Sequence, residues 1–182
     1  MKLVTGFEPF LNYSLNPSWE LAQELSLTIP HTVSLQLPVA YSHAFFKLRD
    51  FIKQQNTFPE SVYLLGLSAQ RFNMSLEVLA LNWMESINPD NWQQKYAGQV
   101  IEEAAPPFYL QENHPAAAIV RSLGSSPFKI SYFAGTYVCN EVYFRMLHYF
   151  FNHRDKIIFI HVPPFEVLSK ESQIELLKKV IF

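Results

Sequence analysis

Apolar and polar positions along the chain follow two rhythms in alternation. Met1–Thr5 is a short apolar run closed by Gly6, which predicts a strand. Asn16-Pro17 predicts a helix start, because Asn is a favoured N-cap and Pro suits the first helical position. Trp19, Leu21, Ala22 and Leu25 continue that helix at helical spacing. Val33–Leu37 alternates as a half-buried strand does, and Tyr41–Gln55 carries Phe45, Leu48, Phe51 and Ile52 on one helical face until Pro59. Ser61–Gly66 and Ser75–Asn82 read as further strands. Asn88-Pro89-Asp90-Asn91 is turn chemistry, and an irregular stretch follows to about Pro115. Ala116–Leu123 predicts a helix and Lys129–Ala134 a strand ending at Gly135. A helix from Thr136 carries Val142, Tyr143, Met146, Leu147, Phe150 and Phe151. Lys156–Val162 is a strong strand stopped by Pro163-Pro164, and an amphipathic helix runs from Ser169 to the end.

Strands alternating with helices, several of the strands apolar throughout, predict an α/β fold whose sheet is covered on both faces. No repeat, linker or low-complexity segment interrupts the pattern, and 182 residues predict one domain over 1–182. With 49% hydrophobic and 16% charged residues the chain can bury a large core, which argues against intrinsic disorder. A net charge of −2 without a charge block gives no electrostatic footprint for nucleic acid or an anionic membrane. No apolar run approaches the ~18 residues of a membrane span. Glu8 comes too early for a signal peptide, so a cytoplasmic protein is expected.

In open α/β sheets ligands gather outside the carboxyl ends of the strands, so chemistry is sought after Gly6, Gly66, Asn82, Gly135 and Ile160. Cys139 is the single cysteine; it can form neither an intrachain disulfide nor a Cys-based zinc cage. With Thr136 as N-cap it falls in the first turn of a helix, where a thiol is made more acidic. Packed as a small hydrophobe, it would instead be inert. His161 closes a strand, where a thiol nucleophile would need a base, although a single His is more often structural. Glu77, flanked by Leu76 and Val78, is costly in an apolar strand unless paired. It could orient an imidazole or sit on the solvent face of an edge strand. Gly66-Leu67-Ser68-Ala69-Gln70 nearly spells a serine-hydrolase elbow, with Asp90 and His161 to follow, but lacks the second glycine. His148 and His153 are five apart, and neither HExxH, a Walker loop nor a dinucleotide fingerprint is present, so no metal site or cofactor is expected.

These segments together resemble the pyrrolidone-carboxylate peptidases (pyroglutamyl peptidase type I). VTGFEPFLNYSLNPSWE (Val4–Glu20) is similar to that family's amino-terminal T-G-F-x-P-F followed by N-P-S-W. AGTYVCNEVYFRMLHY (Ala134–Tyr149) is similar to its cysteine motif, and FIHVPPF (Phe159–Phe165) to its histidine motif. GLSAQRFNMSLEVLALN (Gly66–Asn82) and PDN (Pro89–Asn91) fill the central block, in the family's order. The resemblance implies a three-layer α/β/α sandwich with a mixed, mostly parallel sheet. It implies a cysteine peptidase with Cys139 as nucleophile, His161 as base and Glu77 as orienting carboxylate. The implied substrate is a peptide blocked by an amino-terminal pyroglutamyl residue, its ring walled by Phe10 and Tyr137. It also implies assembly as a dimer or tetramer.

The chain departs from the family pattern in four places. Leu11-Asn12 stands where the family usually has Gly-Gly, and Ser68-Ala69-Gln70-Arg71 has neither glycine of G-x-A-G-G-R. The residue after the Glu is Val78 rather than Arg, and D-A-R-I-P-D-N has become Glu85–Asn91 with Ile87 at the arginine position. Losing a charged donor near a developing oxyanion can cost ~3 kcal/mol. The departures predict a divergent member with lower activity or a changed substrate, or a weakened relative that binds a peptide end.

Overall fold

A computed structural model describes residues 1–11 and 13–181. In chain order the elements are β1 (Lys2–Phe7), α1 (Pro17–Thr28), β2 (Thr32–Leu37), α2 (His43–Lys53), β3 (Ser61–Leu67) and β4 (Met74–Glu77). Then come β5 (Leu79–Leu81), β6 (Met84–Glu85), β7 (Ala97–Gln99), β8 (Phe108–Leu110), α3 (Pro115–Ser122) and β9 (Phe128–Ser131). The chain closes with α4 (Val138–Tyr149), a 3₁₀ turn over Phe151–Lys156, β10 (Ile157–Val162) and α5 (Lys170–Ile181).

Six strands form the central sheet in the order β2-β1-β3-β10-β4-β9. All neighbouring pairs are parallel except β10 with β4. The sheet is therefore mixed and mostly parallel, as expected. Helices α1, α3 and α5 pack together on one face, and α2 and α4 on the other. The central strands are buried on both sides: every residue of β10 is buried, and Leu64, Leu65 and Phe159 are fully so. That is why these strands carry unbroken apolar runs rather than alternation.

The amino-terminal motif is a packing unit. Asn16 caps α1 through its side chain, which accepts from Ser18 N at 3.1 Å, while its amide donates to Glu8 O at 2.9 Å. The Ser18 hydroxyl donates to Asn16 Oδ1 at 2.8 Å and accepts from Phe7 N at 3.0 Å. This brings the start of α1 onto β1 so closely that a Cβ on Gly6 would lie 2.4 Å from Ser18 O. Glycine is required there by space, not by φ.

Three expectations are corrected. The strand expected over Ser75–Asn82 is two strands. β4 ends at Glu77, the Val78 N–H goes to Ser131 O at 2.9 Å, and β5 leaves the sheet to pair with β8. The stretch expected to be irregular holds two short strands, β7 pairing with β6 and β8 with β5; their pairings are long-range and too short to leave a period. The cap of α4 is Tyr137 rather than Thr136, whose hydroxyl donates to Glu85 O at 2.9 Å instead. Cys139 stays in the first turn of the helix. Among the described residues no helix is long and apolar enough to cross a membrane.

Candidate active site

Sheet register decides which of the candidate side chains meet. His161 is the register partner of Gly66 across the parallel β10–β3 pair. Across the antiparallel β10–β4 pair, Glu77 faces Phe159 and Ser75 faces His161. Glu77, Phe159 and His161 therefore leave the sheet on one face, toward α4, with Glu77 diagonal to His161. The Glu77 carboxylate closes that diagonal, with Oε1 2.8 Å from His161 Nδ1. An Nδ1–H donating to a carboxylate leaves Nε2 as the basic nitrogen.

Glu77 is completely buried on an interior strand, β9 being the edge, which excludes the solvent-face reading. Its charge is matched by Arg71 Nη1, 2.6 Å from the same Oε1. The second oxygen, Oε2, has no hydrogen-bond partner among the described residues. The Tyr143 hydroxyl, from α4, donates to the Glu77 backbone carbonyl at 2.9 Å and ties helix to strand.

Cys139 approaches from above. Its Sγ would stand 3.0 Å from a Cβ on Gly66, and Phe159 Cζ would stand 2.7 Å from that atom. The thiol therefore occupies the space that glycine leaves empty, over the residue whose register partner across the sheet is His161. Asn140 anchors this end of α4. It is fully buried, accepts from Leu81 N at 2.9 Å, and donates to Leu81 O and Trp83 O at 2.9 Å each.

The thiol's acidity departs from expectation. The Cys139 backbone N–H and the Arg71 guanidinium favour the thiolate, but burial and the Glu77 carboxylate outweigh them and push the thiol up to about 12. The magnitudes explain the sign. A helix terminus is worth up to ~2 kcal/mol, under two pKa units, whereas desolvation can move a buried group by ~3–5 units. The resting sulfur is therefore a thiol. Its proton must leave as the sulfur attacks, which a neighbouring imidazole can accept.

Loops carry the walls. Phe10 and Tyr137 line two adjoining cavities. The smaller, about 40 Å³, reaches Cys139 and is otherwise lined by residues such as Phe7, Val39, Leu67 and Val138. The larger, about 400 Å³, opens between Leu11, Ile87, Asn88 and Thr136. Tyr137 packs edge-on against Tyr41, with centroids 5.4 Å apart, and its hydroxyl donates to Pro89 O at 3.0 Å. Burial pushes that hydroxyl up to about 12, so it stays a donor at neutral pH. The Pro89-Asp90-Asn91 turn is locked by its side chains. Asp90 accepts from Tyr41 N, Trp92 N and Gln94 N, and Asn91 donates to Glu8 Oε1 and Pro9 O.

The serine alternative fails on geometry. Ser68 begins a turn rather than a strand-to-helix elbow, its N–H donating to Val162 O at 3.0 Å. Asp90 is occupied by three backbone N–H groups, and His161 Nδ1 by Glu77. Sequence reasoning placed Gly66 at a strand end and quoted Arg71 within a family motif, but gave neither a role in the site, since both act through contacts across the sheet. Ile87, in place of the family arginine, is 87% exposed on the rim of the larger cavity. Leu11 takes a φ of 54°, and Asn12 lies outside the described residues. Among the described residues no group of three or more His, Cys, Asp and Glu is placed to hold a metal.

A thiol at a helix start, an imidazole at the end of the neighbouring strand and a buried carboxylate on that imidazole make the constellation of a cysteine hydrolase. Comparison with known proteins agrees and is more specific. The family model for pyroglutamyl peptidase matches residues 1–174. The pyrrolidone-carboxylate peptidase of Thermococcus kodakarensis is 38% identical over 167 residues, 88% of this chain and 80% of that protein. Pyrrolidone-carboxylate peptidase 1 of Caldanaerobacter subterraneus is 34% identical over 178 residues, 92% of this chain and 85% of that protein. Among solved structures, pyroglutamyl peptidase I from Bacillus amyloliquefaciens superposes with a TM-score of 0.88 at 29% identity. It covers 98% of this chain and 91% of its own. The chain belongs to the pyroglutamyl peptidase family.

Proposed function

We propose that this chain cleaves an amino-terminal pyroglutamyl residue from peptides, with Cys139 as nucleophile, His161 as general base and then acid, and Glu77 as the orienting carboxylate. The observation that carries the assignment is the 2.8 Å contact between His161 Nδ1 and the fully buried Glu77. It directs the basic nitrogen away from the carboxylate, on the face where the thiol lies over Gly66.

The pyroglutamyl lactam is uncharged, which suits the aromatic walls Phe10 and Tyr137. Sulfur attacks the pyroglutamyl carbonyl carbon as His161 takes the thiol proton. The backbone N–H groups at the start of α4 are the natural donors to the oxyanion. His161 then passes its proton to the leaving amine, and the C–N bond breaks. Water, deprotonated by the same imidazole, releases pyroglutamate from the thioester and restores the thiol. No step uses a cofactor.

A second reading, a weakened relative that binds a peptide end, is favoured by one observation: the family's arginine position is an exposed isoleucine. Release of a fluorophore from a pyroglutamyl amide separates the two. Wild type should turn over and Cys139→Ala should lose at least ~10³-fold. A folded wild type without turnover would leave the binding reading. Residues 1–182 acting as one domain, assembly as a dimer or tetramer, and a cytoplasmic location complete the proposal. Exposed aromatics such as Phe72, Tyr132 and Phe133 support assembly.

A further inference from the structure

Glu77 carries a second partner that the proposed mechanism does not use. Arg71 sits on the turn between β3 and β4, where its backbone N–H donates to Ser68 O at 3.1 Å. Its side chain is only 25% exposed. One terminal nitrogen lies 2.6 Å from Glu77 Oε1, the oxygen that also faces His161. The other donates to the Phe133 carbonyl at 2.7 Å, just beyond the end of β9. The titratable and charged groups around the carboxylate are Arg71, His161, Cys139 and Tyr143, of which only Arg71 is a permanent cation.

We propose that Arg71 is a positioning residue for the reaction, holding the Glu77 carboxylate in the one orientation that keeps the His161 proton on Nδ1. The inference rests on the triad reading above. The Glu77 side chain is fully buried and Oε2 has no hydrogen-bond partner among the described residues, so the carboxylate's orientation rests on what holds Oε1. A carboxylate turned away from Nδ1 would leave the ring free to carry its hydrogen on Nε2, where it could not accept the thiol proton. The guanidinium prevents that turn, and its tie to the Phe133 carbonyl keeps it in place. Arg71 lines neither cavity beside Phe10 and Tyr137, and its side-chain contacts are with Glu77 and Phe133. Beyond its field at the sulfur, it therefore acts through Glu77. The chain lacks arginine at 78 and at 87, which leaves Arg71 as the cation on this carboxylate.

The test uses the full chain with Arg71→Ala, Arg71→Lys, Glu77→Gln and the Arg71→Ala/Glu77→Gln double variant. Turnover of a pyroglutamyl amide is measured beside iodoacetamide labelling of Cys139. For Arg71→Ala, kcat should fall between about 10- and 1,000-fold, below the ~10⁴-fold that a wrong histidine tautomer costs a serine triad. KM should stay within about threefold of wild type, because the walls are untouched. Arg71→Lys and added guanidinium ion should each restore part of the loss. The double variant should be no slower than Glu77→Gln alone. Histidine ¹⁵N shifts should place the His161 proton on Nδ1 in wild type and on Nε2 in Arg71→Ala. Full kcat in Arg71→Ala, additive losses in the double variant, or a rise confined to KM would overturn the proposal. If Arg71→Ala does not fold, Arg71→Lys and the double-variant comparison with a lysine at 71 decide in the same way. If wild type itself fails to turn over, the function assignment falls. The ¹⁵N shifts then still decide the role of Arg71, since they do not need that substrate.

Discussion

The floor of the site and its rim are built differently. On the floor, Glu77 and His161 stand on adjacent strands of the central sheet, and Cys139 stands on a helix anchored by the fully buried Asn140. On the rim, the residues around the larger cavity come from the loop after β1, from β6 and the segment beyond it, and from Thr136 and Tyr137 before α4. The floor keeps the residues in which the sequence resembles the family. The rim is where it departs from that pattern, with Leu11 in a left-handed backbone conformation and Ile87 87% exposed. Register explains the asymmetry. Shifting a strand by one residue turns every side chain to the other face, so floor residues are constrained together. A rim loop can change one residue while its neighbours, such as Asn91 on Glu8, still hold the backbone.

The sharpest way to break the comparison is to disturb the floor where it has no spare space. Gly66→Ala puts a methyl group 2.7 Å from Phe159 Cζ and 3.0 Å from Cys139 Sγ. Overpacking of this kind costs ~1–3 kcal/mol, and displacing the thiol by ~1 Å costs about 100-fold in kcat. Thermal unfolding and turnover together check it; an unchanged kcat would show that the thiol is not seated over Gly66 when it reacts.

The thiol itself comes next. Because burial and Glu77 raise it to about 12, iodoacetamide labelling of the substrate-free protein should be slow at pH 6. The rate should rise about tenfold per pH unit through pH 9, since the thiolate fraction does so below the pKa. A plateau below pH 7 would instead reveal a preformed thiolate–imidazolium pair.

Changes on the rim should be gentler. Ile87→Arg restores the family's cation at an exposed position, where solvent screens it, so kcat/KM should rise by no more than about 10-fold. A larger gain would mean that substrate closes the rim over the site. Leu11→Gly should leave kcat nearly unchanged and stabilise the fold by ~1 kcal/mol, by relieving a side chain at a φ of 54°. Denaturant unfolding measures that difference, and no gain would mean that the Leu11 side chain compensates by packing.

Much of this was legible without a structure because it is local. The cap at Asn16, the places of Gly66 and His161 one residue from the ends of their strands, and that of Cys139 in the first turn of a helix follow from neighbours in sequence. The end of β4 at Glu77 was not legible. Val78 is as apolar as the strand before it, and its departure is dictated by a bond to Ser131. The acidity of Cys139, which the sequence left open, was not legible for a related reason: the helix-start field is local, whereas the desolvation that opposes it comes from the packing of α4 onto the sheet.

By itself the sequence determined the alternation of strands and helices, the identity of the three candidate groups and the family to which they point. All of these are written in periods, caps and motifs that act over a few residues. Only the tertiary structure decided that Glu77 meets His161 across 84 positions of chain, that Arg71 shares the same carboxylate oxygen, and that a glycine leaves the thiol its space. Those relations depend on which strands pair and in what register. Register is set by burying one face of every strand at once, a condition that no short stretch of sequence contains.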